Sequence, residues 1–294
     1  MGNHFPVTLI KWRYLFVFKK RIDLKNPRDL NEKIIWAKLF SDTSRWTDLA
    51  DKYKVREYVK ELGLGKYLVQ LYAVWYDSKD VNFDELPDNF IIKANNGDGK
   101  GTNKIIRKSE LTQERKAEVV RMIDEWLHRK NIGALHAEPQ YKGMKPCVIV
   151  EEVLPSDTGA SSLTDYKIWC FNGKAHYIRV YNERTDDGSS AHVMTYDLDW
   201  NAHPEYSIIN SDYSLGTIIP RPENFEEMIW VAEELSKGFP EVRVDLYNVQ
   251  GKIYFGELTF TSQGGFMNNI TPEFNRLLGS KFDIKDFPIK QRCQ

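Results

Sequence analysis

The amino-acid sequence predicts an α+β fold in which antiparallel sheets form two lobes. Strands and helices mix along the chain, and β-hairpins outnumber clear βαβ units, which favours this class over a doubly wound parallel sheet. Hydrophobic residues make up 41% of the chain and aromatic residues 13%, as is typical of a packed globular protein. A length of 294 residues is enough for two lobes that share a cleft.

The order of the elements follows from hydrophobic spacing and turn signals. Helical patterns occupy residues 26–40 with Asn31 as the N-cap, 46–68 with Gly63 and Gly65 closing the helix, 109–130, and 223–239 with Gly238 at the end. Strands are predicted at 67–75, 89–95 and 145–154, and hairpins at 163–184, turning at Asn172-Gly173, and 242–260, turning near Gln250-Gly251.

The segment "LIKWRYLFVFKKRIDLK", residues 9–25, combines basic and aromatic side chains. Such a segment is typical of an amphipathic helix that rests on an anionic membrane surface. The alternative, which we favour here, is a first helix that packs its Trp and Phe side chains on the core.

Charge and cysteine content narrow the class of protein. The formal net charge is −1, so the chain lacks an overall basic field for nucleic acid. Three widely separated cysteines, Cys147, Cys170 and Cys293, indicate reduced thiols rather than a disulfide framework. No apolar run approaches the roughly 20 residues that span a bilayer, and the N-terminus lacks signal-peptide features. We therefore expect a cytoplasmic protein.

The stretch "LPDNFIIKANNGDGKGTN" ends an apolar strand in Lys93 and then places Gly97, Gly99 and Gly101 at every second position. Glycines admit φ > 0 and let backbone N–H groups approach a phosphate, while the lysine adds a charge. The spacing matches neither a P-loop nor a dinucleotide-binding fingerprint. A surface hairpin tip is the alternative, and the spacing alone leaves both interpretations open.

The hairpin "RVDLYNVQGKIYFGELTF" carries two pairs of polar residues at alternate positions, Arg243 with Asp245 and Glu257 with Thr259. If the turn brings the strands into register, the two carboxylates share a face and repel each other unless a divalent cation lies between them. Oxygen ligands favour Mg²⁺ over zinc. The alternative is a hairpin with ordinary surface charges, which the flanking apolar residues disfavour.

The segment "VIVEEVL" ends three apolar residues in Glu151 and Glu152. Its backbone and a carboxylate suit the edge of an adenine ring. Taken alone, however, this pattern is more typical of an edge strand with two solvated glutamates.

The succession of these motifs, with "DKYKVREYVKELGLGKYL" before them and "DYKIWCFNGK" between them, resembles the ATP-grasp superfamily. More narrowly, the strings "NEKIIWAKL", "DYKIWCFNGK" and "FGELTF" resemble the TupA-like branch, which is associated with teichuronopeptide and capsular polysaccharide biosynthesis. The resemblance covers residues 24–265. It implies an ATP-grasp fold with two α+β lobes that grip ATP: a helical segment at 1–47, a lid-side lobe at 48–154 and a metal-bearing lobe at 155–294.

The resemblance also implies roles for individual residues. ATP contacts are expected from Lys52 and Lys93 on the phosphates, from the lid residues Asn96, Gly97, Gly99 and Gly101, from Glu151, Glu152, Val153 and Leu154 around adenine, and from Asp165 at the ribose. Asp245, Glu257 and Thr259 would hold Mg²⁺, and Arg243, Lys93 and Lys167 would act in catalysis. Thr259 replaces the asparagine that is usual in the superfamily. Lys167 is unusual there and is assigned either to phosphate or to the acceptor carboxylate.

The implied reaction joins the carboxylate of a uronic acid in a cell-surface polysaccharide to an amino acid through an acyl phosphate. Candidate substrate contacts are Arg179, Arg184, Gly264 and Gly265. Nucleic acid is not an expected partner, whereas polysaccharide-assembly enzymes and the inner face of the membrane are candidate contacts. Two alternatives use the same nucleotide site: phosphoryl transfer to a sugar hydroxyl, and a non-catalytic nucleotide- or glycan-binding module.

Overall fold

A computed structural model describes residues 5–97, 101–156, 163–183 and 190–290. Its helices are α1 (Pro6–Phe18), α2 (Leu30–Phe40), α3 (Trp46–Leu49), α4 (Val55–Glu61), α5 (Gln113–Leu127), α6 (Phe225–Ser236) and α7 (Pro272–Gly279). Its strands are β1 (Leu71–Trp75), β2 (Asn89–Ala94), β3 (Asn103–Arg107), β4 (Val148–Glu152), β5 (Asp165–Phe171), β6 (Lys174–Asn182), β7 (Ala191–Tyr196), β8 (Tyr213–Leu215), β9 (Glu241–Val249) and β10 (Lys252–Thr259).

The first sheet has four antiparallel strands in the order β1-β4-β2-β3. Alternate residues of β2 and β4, such as Phe90 and Val150, are buried in a core that also contains Val119 and Ile123 of α5. Strand β4 lies between β1 and β2, so it is not an edge strand. The interpretation of its two glutamates as solvated edge residues is therefore wrong for Glu151, which is buried.

The second sheet has six strands in the order β10-β9-β5-β6-β7-β8, antiparallel except for the parallel pair β7 and β8. Helix α6 covers one face, where Met228 and Val231 join Val244 and Ile168 in the larger core. Both predicted hairpins form, and their turns at Asn172-Gly173 and Gln250-Gly251 have positive φ at each residue. The α+β class with antiparallel sheets is confirmed.

Two details of the predicted helices are wrong. The N-cap of α2 is Asp29, whose side chain accepts from the backbone N–H of Glu32, and Asn31 is buried inside the helix. The predicted helix over 46–68 is interrupted, because the Asp51 carboxylate accepts from the backbone N–H groups of Tyr53 and Lys54 and turns the chain between α3 and α4. Such local bonds compete with the helical ladder.

Helices α3 and α4 pack in the larger core rather than against the four-stranded sheet. The Trp46 ring stacks on Phe260 with centroids 5.2 Å apart, and Tyr58 meets Phe239 edge-on. The segment 46–67 therefore packs against the six-stranded sheet. The domain boundary predicted from the sequence instead assigns residues from 48 onward to the lid-side lobe.

Helix α1 is fixed by one face only. Ile10 and Tyr14 are buried against Ile35 and Phe266. Trp12 and Phe16 are 70% and 76% exposed, so the prediction that the aromatic residues of this helix pack on the core is wrong for these two. Within the described ranges, no helix has both the length and the hydropathy that a membrane span requires.

Candidate active site

Four charged residues form a row across the face of the six-stranded sheet that α6 does not cover. We call them the charge row: Glu257, Asp245, Lys167 and Arg179. Pairing register creates the row, because Glu257 lies opposite Asp245, Asp245 opposite Lys167, and Lys167 opposite Arg179. Arg243, two residues before Asp245 on β9, projects from the same face.

Cations hold both oxygens of the Asp245 carboxylate. Arg243 donates from Nε to Oδ1 at 2.7 Å and from Nη2 to Oδ2 at 2.8 Å, and Lys167 Nζ also donates to Oδ2. Lys167 Nζ lies 3.5 Å from Asp165 as well. The expectation that a divalent cation alone can relieve the carboxylate pair is therefore wrong, because side-chain cations already do so.

Glu257 is the accessible carboxylate of the charge row, with 38% of its side chain exposed. Its Oε2 lies 3.4 Å from Lys52 Nζ, and its Oε1 lies 3.5 Å from Arg243 Nη2. Thr259 donates its hydroxyl to Oε1 at 3.1 Å and accepts from Arg243. Thr259 thus positions Glu257 and Arg243.

Mutual attraction fixes the charge states in this row. Burial opposes ionisation of Glu257, but Lys52, Lys167 and Arg243 outweigh it and hold the pKa of Glu257 far below its usual range. Burial likewise lowers the pKa of Lys167, and Asp165 with Asp245 more than offsets this, so that the pKa of Lys167 is raised. The carboxylate and the lysine are therefore both charged at neutral pH.

The donor set suits a hard cation only in part. Within the described residues there is no group of three or more His, Cys, Asp or Glu side chains that could hold a metal ion. Magnesium, however, is commonly held by one or two carboxylates together with phosphate oxygens and water. Exposed Glu257 fits that role, whereas Asp245 fits it only if Lys167 or Arg243 releases an oxygen.

Lys52 connects the glycine loop to the charge row. Its backbone N–H donates to Asn95 O at 3.1 Å, and its Nζ donates to Gly97 O at 3.2 Å while lying 3.4 Å from Glu257. The loop and the acidic hairpin therefore face one cleft.

Asn95, which sequence reasoning missed, fixes this arrangement from a fully buried position. Its Nδ2 donates to Asp51 Oδ2 at 2.7 Å and to Lys145 O at 3.0 Å, and its Oδ1 accepts from Cys147 N at 2.9 Å. The only sequence signal was its place directly after the buried strand, since its three partners are remote in the chain.

The glycine loop is tightly packed at its start. A Cβ on Gly97 would lie 2.4 Å from Thr102 Oγ1, so the glycine is required for close approach; its φ is not positive, contrary to expectation. Gly101 does have a positive φ of 77°, and Gly99 lies outside the described residues. Asn96 is buried, and its Oδ1 has no partner among the residues that the structure describes.

The segment after β4 also differs from its expected form. Lys93 Nζ donates to Glu151 Oε2 at 2.9 Å, and Arg56 Nη1 donates to Oε1 at 2.8 Å, so cations occupy both oxygens of Glu151. We call Lys93, Glu151 and Arg56 the Glu151 triad. Sequence reasoning missed Arg56, which lies on α4 and gave no motif signal.

Beyond Glu151 the segment lies beside an apolar cluster. Half-buried Leu154 packs against Val69, Val249 and Tyr254, which come from both sides of the cleft. Glu152 and Val153 are half-buried. Asp165 is buried at the start of β5, opposite Tyr247. These residues form the apolar end of the cleft.

Two of the predicted substrate residues face the interior. Gly264 and Gly265 have φ values of 62° and 78°, and a Cβ on them would lie 2.6 Å from His136 and 2.7 Å from Ile35. The Gly264 carbonyl accepts from buried Lys38 at 2.6 Å. Both glycines let the turn pack on α2, so the structure gives them a structural place. Arg184 lies outside the described residues.

The turn that contains these glycines also supports Arg243, which donates to Ser262 Oγ at 3.2 Å. Helix α2 holds the turn through Lys38 and through Asn31, whose side chain exchanges hydrogen bonds with the backbone of Met267. Arg179 donates from Nη2 to Asn269 O at 2.9 Å. The "NEKIIWAKL" string therefore holds the turn that contacts Arg243.

Comparison with solved structures finds similarity to three ligases or synthetases. D-alanine–D-alanine ligase from Bacillus anthracis is 14% identical, with 81% of this chain and 65% of that chain covered and a TM-score of 0.46. N5-carboxyaminoimidazole synthetase from Staphylococcus aureus is 12% identical over 82% and 52%, with a TM-score of 0.47. D-alanyl-alanine synthetase A from Vibrio cholerae is 11% identical over 88% and 72%, also with 0.47.

This chain thus spans less than two thirds of the length of the first two proteins. Comparison with curated proteins gives no match. A family model described as TupA-like ATPgrasp, in contrast, matches residues 32–283. That range includes the glycine loop, the Glu151 triad and the charge row, and the chain therefore belongs to the TupA-like ATP-grasp family.

Proposed function

We propose that this protein is an ATP-dependent carboxylate–amine ligase that uses Mg²⁺. The observation that carries the proposal is the position of Lys52, which contacts both the Gly97 carbonyl and Glu257. One cleft thereby contains a glycine loop suited to phosphates and an accessible carboxylate suited to a hard cation.

The parts of the cleft suggest where ATP binds. Lys52 and Lys93 would contact its phosphates, and the apolar cluster around Leu154 would face adenine, with Glu152 and the backbone of Val153 at the ring edge. Glu151 is assigned differently from the sequence-based expectation, because Arg56 and Lys93 already occupy its carboxylate. Asp165 remains the residue proposed for the ribose.

Magnesium, when bound, would supply positive charge to the transferring phosphoryl group. Glu257 would hold it, with Asp245 joining once one of its cations moves. Thr259 is proposed to orient Glu257 through their hydrogen bond rather than to be a principal ligand.

The proposed reaction has two steps. An oxygen of the substrate carboxylate attacks the γ-phosphorus, the bond from phosphorus to the bridging oxygen breaks, and ADP leaves. An amine then attacks the acyl carbon, the bond to phosphate breaks, and the amine loses one proton. Arg243 and Lys167 lie where they can stabilise negative charge on the transferring oxygens.

For the substrates, we propose a uronic-acid carboxylate of a cell-surface polysaccharide as acceptor and an amino acid as the amine. Membership in the TupA-like family supports this choice. Free buried Cys147 and Cys170 and the use of ATP support a cytoplasmic reaction. Enzymes of polysaccharide assembly remain proposed partners.

Phosphoryl transfer to a sugar hydroxyl is less well supported. It calls for a general base beside the hydroxyl. Among the described residues next to Arg243, both Asp245 and Glu257 are held by cations, and the pKa of Glu257 is far too low for efficient proton abstraction.

The experiment incubates the protein with Mg-ATP, a uronic-acid glycan and a pool of amino acids, with hydroxylamine added in parallel. The ligase proposal predicts ADP, a hydroxamate in the trapped sample and an amide product by mass spectrometry. ATP consumption that yields a phosphorylated sugar and no hydroxamate would contradict it. Glu257→Gln should abolish turnover, whereas Glu234→Gln on α6 serves as the matched control. Nucleotide binding by the wild type without formation of any product would support the binding-module alternative.

A further inference from the structure

A small cavity of about 10 Å³ opens beside Arg243 at the far end of the charge row. We call it the acceptor cavity, and the lining residues used here are Lys167, Trp169, Arg179, Arg243 and Asn269. Its volume is about that of a single water-sized group.

Three buried N–H donors of this lining have no acceptor within the described ranges: Nε of Arg179, Nε1 of Trp169 and Nδ2 of Asn269. These side chains are 1%, 3% and 1% exposed. A buried donor without an acceptor is unfavourable, because it has lost its hydrogen bond to water. Three such donors around one cavity indicate an oxygen that is supplied from outside the protein.

The donors are held in place by the surrounding structure. Arg179 is fixed by its bond to the Asn269 carbonyl, and Trp169 packs edge-on against Phe274. Lys167, opposite Arg179 in register, connects the cavity to Asp245. The lining contains two arginines and a lysine but no carboxylate, so it selects a negatively charged oxygen.

We propose that the acceptor cavity binds a carboxylate oxygen of a substrate. This inference rests on the proposed ligase function, which requires a carboxylate next to the phosphoryl group. Two sources share this chemistry: the reacting carboxylate, whose second oxygen would face Arg243, and the α-carboxylate of the amine substrate. The donors of Arg179, Trp169 and Asn269 would orient that carboxylate.

Calorimetric titration of galacturonate and of alanine tests the cavity, with and without saturating Mg-ADP. We expect one of the two acids to bind at least tenfold more tightly than its counterpart without a carboxylate, galactose or alaninamide. Trp169→Phe removes the indole N–H together with part of the ring and should weaken that binding about threefold, and Arg179→Gln should weaken it at least tenfold. Trp126→Phe, in the smaller core, is the matched control and should bind as wild type does.

The two acids identify the source, since galacturonate represents the reacting carboxylate and alanine the amine substrate. Trp169→Phe remains informative even if Arg179→Gln does not fold. The proposal would be overturned if the acid and its counterpart without a carboxylate bound alike, if the variants bound as wild type does, or if neither acid bound. A separate titration of the wild type with Mg-ATP tests the ligase proposal. If the wild type does not bind Mg-ATP, only the ligase proposal is contradicted.

A second, independent observation concerns the outer face of α1. Trp12 lies four residues before Phe16 and seven after Phe5, so the three side chains lie along one side of the helix. All three are more than 60% exposed, and Leu15 beside them is 38% exposed. The opposite side of α1 is buried, so the helix is already docked on the protein.

Cations surround this apolar face. Lys11, Lys19 and Arg21 are exposed, Lys19 Nζ lies 4.7 Å from the centroid of the Phe16 ring, and the first acidic residue of the chain is Asp23. An exposed aromatic strip within an exclusively basic segment complements the acyl boundary and the negative charge of an anionic bilayer.

We infer that α1 docks this face on the surface of an anionic phospholipid bilayer. Co-sedimentation with phosphatidylglycerol–phosphatidylcholine vesicles should recover the protein, and pure phosphatidylcholine should recover far less. Lys11→Ala and Lys19→Ala should each lower partitioning about fivefold, and Trp12→Ala with Phe16→Ala should lower it further. Trp230→Ala, an exposed tryptophan on α6, is the control and should have no effect. Equal binding to both vesicles, no binding, or concentration-dependent self-association abolished by Trp12→Ala would overturn the inference.

Discussion

Two regions of the cleft join carboxylates to cations in different ways. In the Glu151 triad, one buried carboxylate is held by Lys93 and Arg56, so both oxygens are occupied and the group carries a net positive charge. In the charge row, Asp245 is held equally firmly, but its neighbour Glu257 remains 38% exposed. The first arrangement fixes cations for an anionic ligand, whereas the second leaves one carboxylate accessible. Burial therefore separates a structural acid from a candidate ligand.

The largest expected effect comes from the accessible acid. Glu257→Gln should lower kcat by about 10²-fold or more. The reason is that Mg²⁺, which would stabilise the charge developing on the phosphoryl group, loses its carboxylate ligand. The variant's free energy of unfolding should also fall, because the charge that attracts Lys52 and Arg243 is lost, but by less than at buried Glu151, since the Glu257 side chain is partly exposed. Steady-state ADP release and urea denaturation measure the two quantities, with Glu234→Gln as control. A Glu257→Gln variant that unfolds easily yet retains turnover would contradict the distinction drawn between Glu257 and Glu151.

The buried acid should show the opposite balance. Glu151→Gln leaves Arg56 and Lys93 without a counter-ion, and we expect a loss of about 2–4 kcal/mol in unfolding free energy. Urea denaturation checks this value, and Glu152→Gln, one residue further on and half-buried, is the matched control. Equal stability of the two variants would contradict a structural role for the Glu151 triad.

Asn95 links the two regions, so its removal should affect both stability and binding. Asn95→Ala leaves Asp51 Oδ2, Lys145 O and Cys147 N without their buried partner, which should cost about 2–3 kcal/mol. The Asn95 backbone carbonyl, which accepts from Lys52 N–H, is held in place by these side-chain bonds, so their loss should shift Lys52 and lower nucleotide affinity. Calorimetry with Mg-ADP, under conditions where the variant is folded, measures this fall in affinity. Unchanged affinity would contradict a role for Asn95 in nucleotide binding.

The smallest effect is a pH dependence at Lys38, beneath the turn that supports Arg243. Burial, helped by Arg13 and opposed by Glu138, lowers the pKa of Lys38 to about 7 from 10.5 in the unfolded chain. Between these values the unfolded chain binds more protons, so the free energy of unfolding rises with pH. From pH 7 to pH 9 wild type should gain about 2 kcal/mol relative to Lys38→Met. Urea denaturation at both pH values measures the difference, and parallel pH profiles would contradict it.

Local patterns in the sequence were sufficient for seven of the ten described strands and for both hairpin turns, whereas β3, β7 and β8 were not predicted. Asn172-Gly173 marked one hairpin, and the two-residue spacing of Arg243 and Asp245 placed both side chains on one strand face. The break between α3 and α4 was missed because the Asp51 carboxylate caps the chain locally, and propensity does not reveal that bond.

Long-range pairing accounts for the other misses. Glu151 is buried and paired because β4 is an interior strand and Arg56 lies nearby. Neighbouring residues in the sequence indicate neither of these facts. Lys167 was assigned to a ligand, whereas register places it on Asp245. The acceptor cavity likewise combines β5, β6 and a turn that only the folded chain brings together.

The central claim is that one cleft holds a nucleotide between the glycine loop and the charge row. A crystal structure with a non-hydrolysable ATP analogue and Mg²⁺ tests it most directly. We predict triphosphate oxygens within hydrogen-bond distance of Lys52 and Lys93, and the metal bound to Glu257. A nucleotide bound elsewhere, or a metal with no contact to Glu257, would contradict the claim.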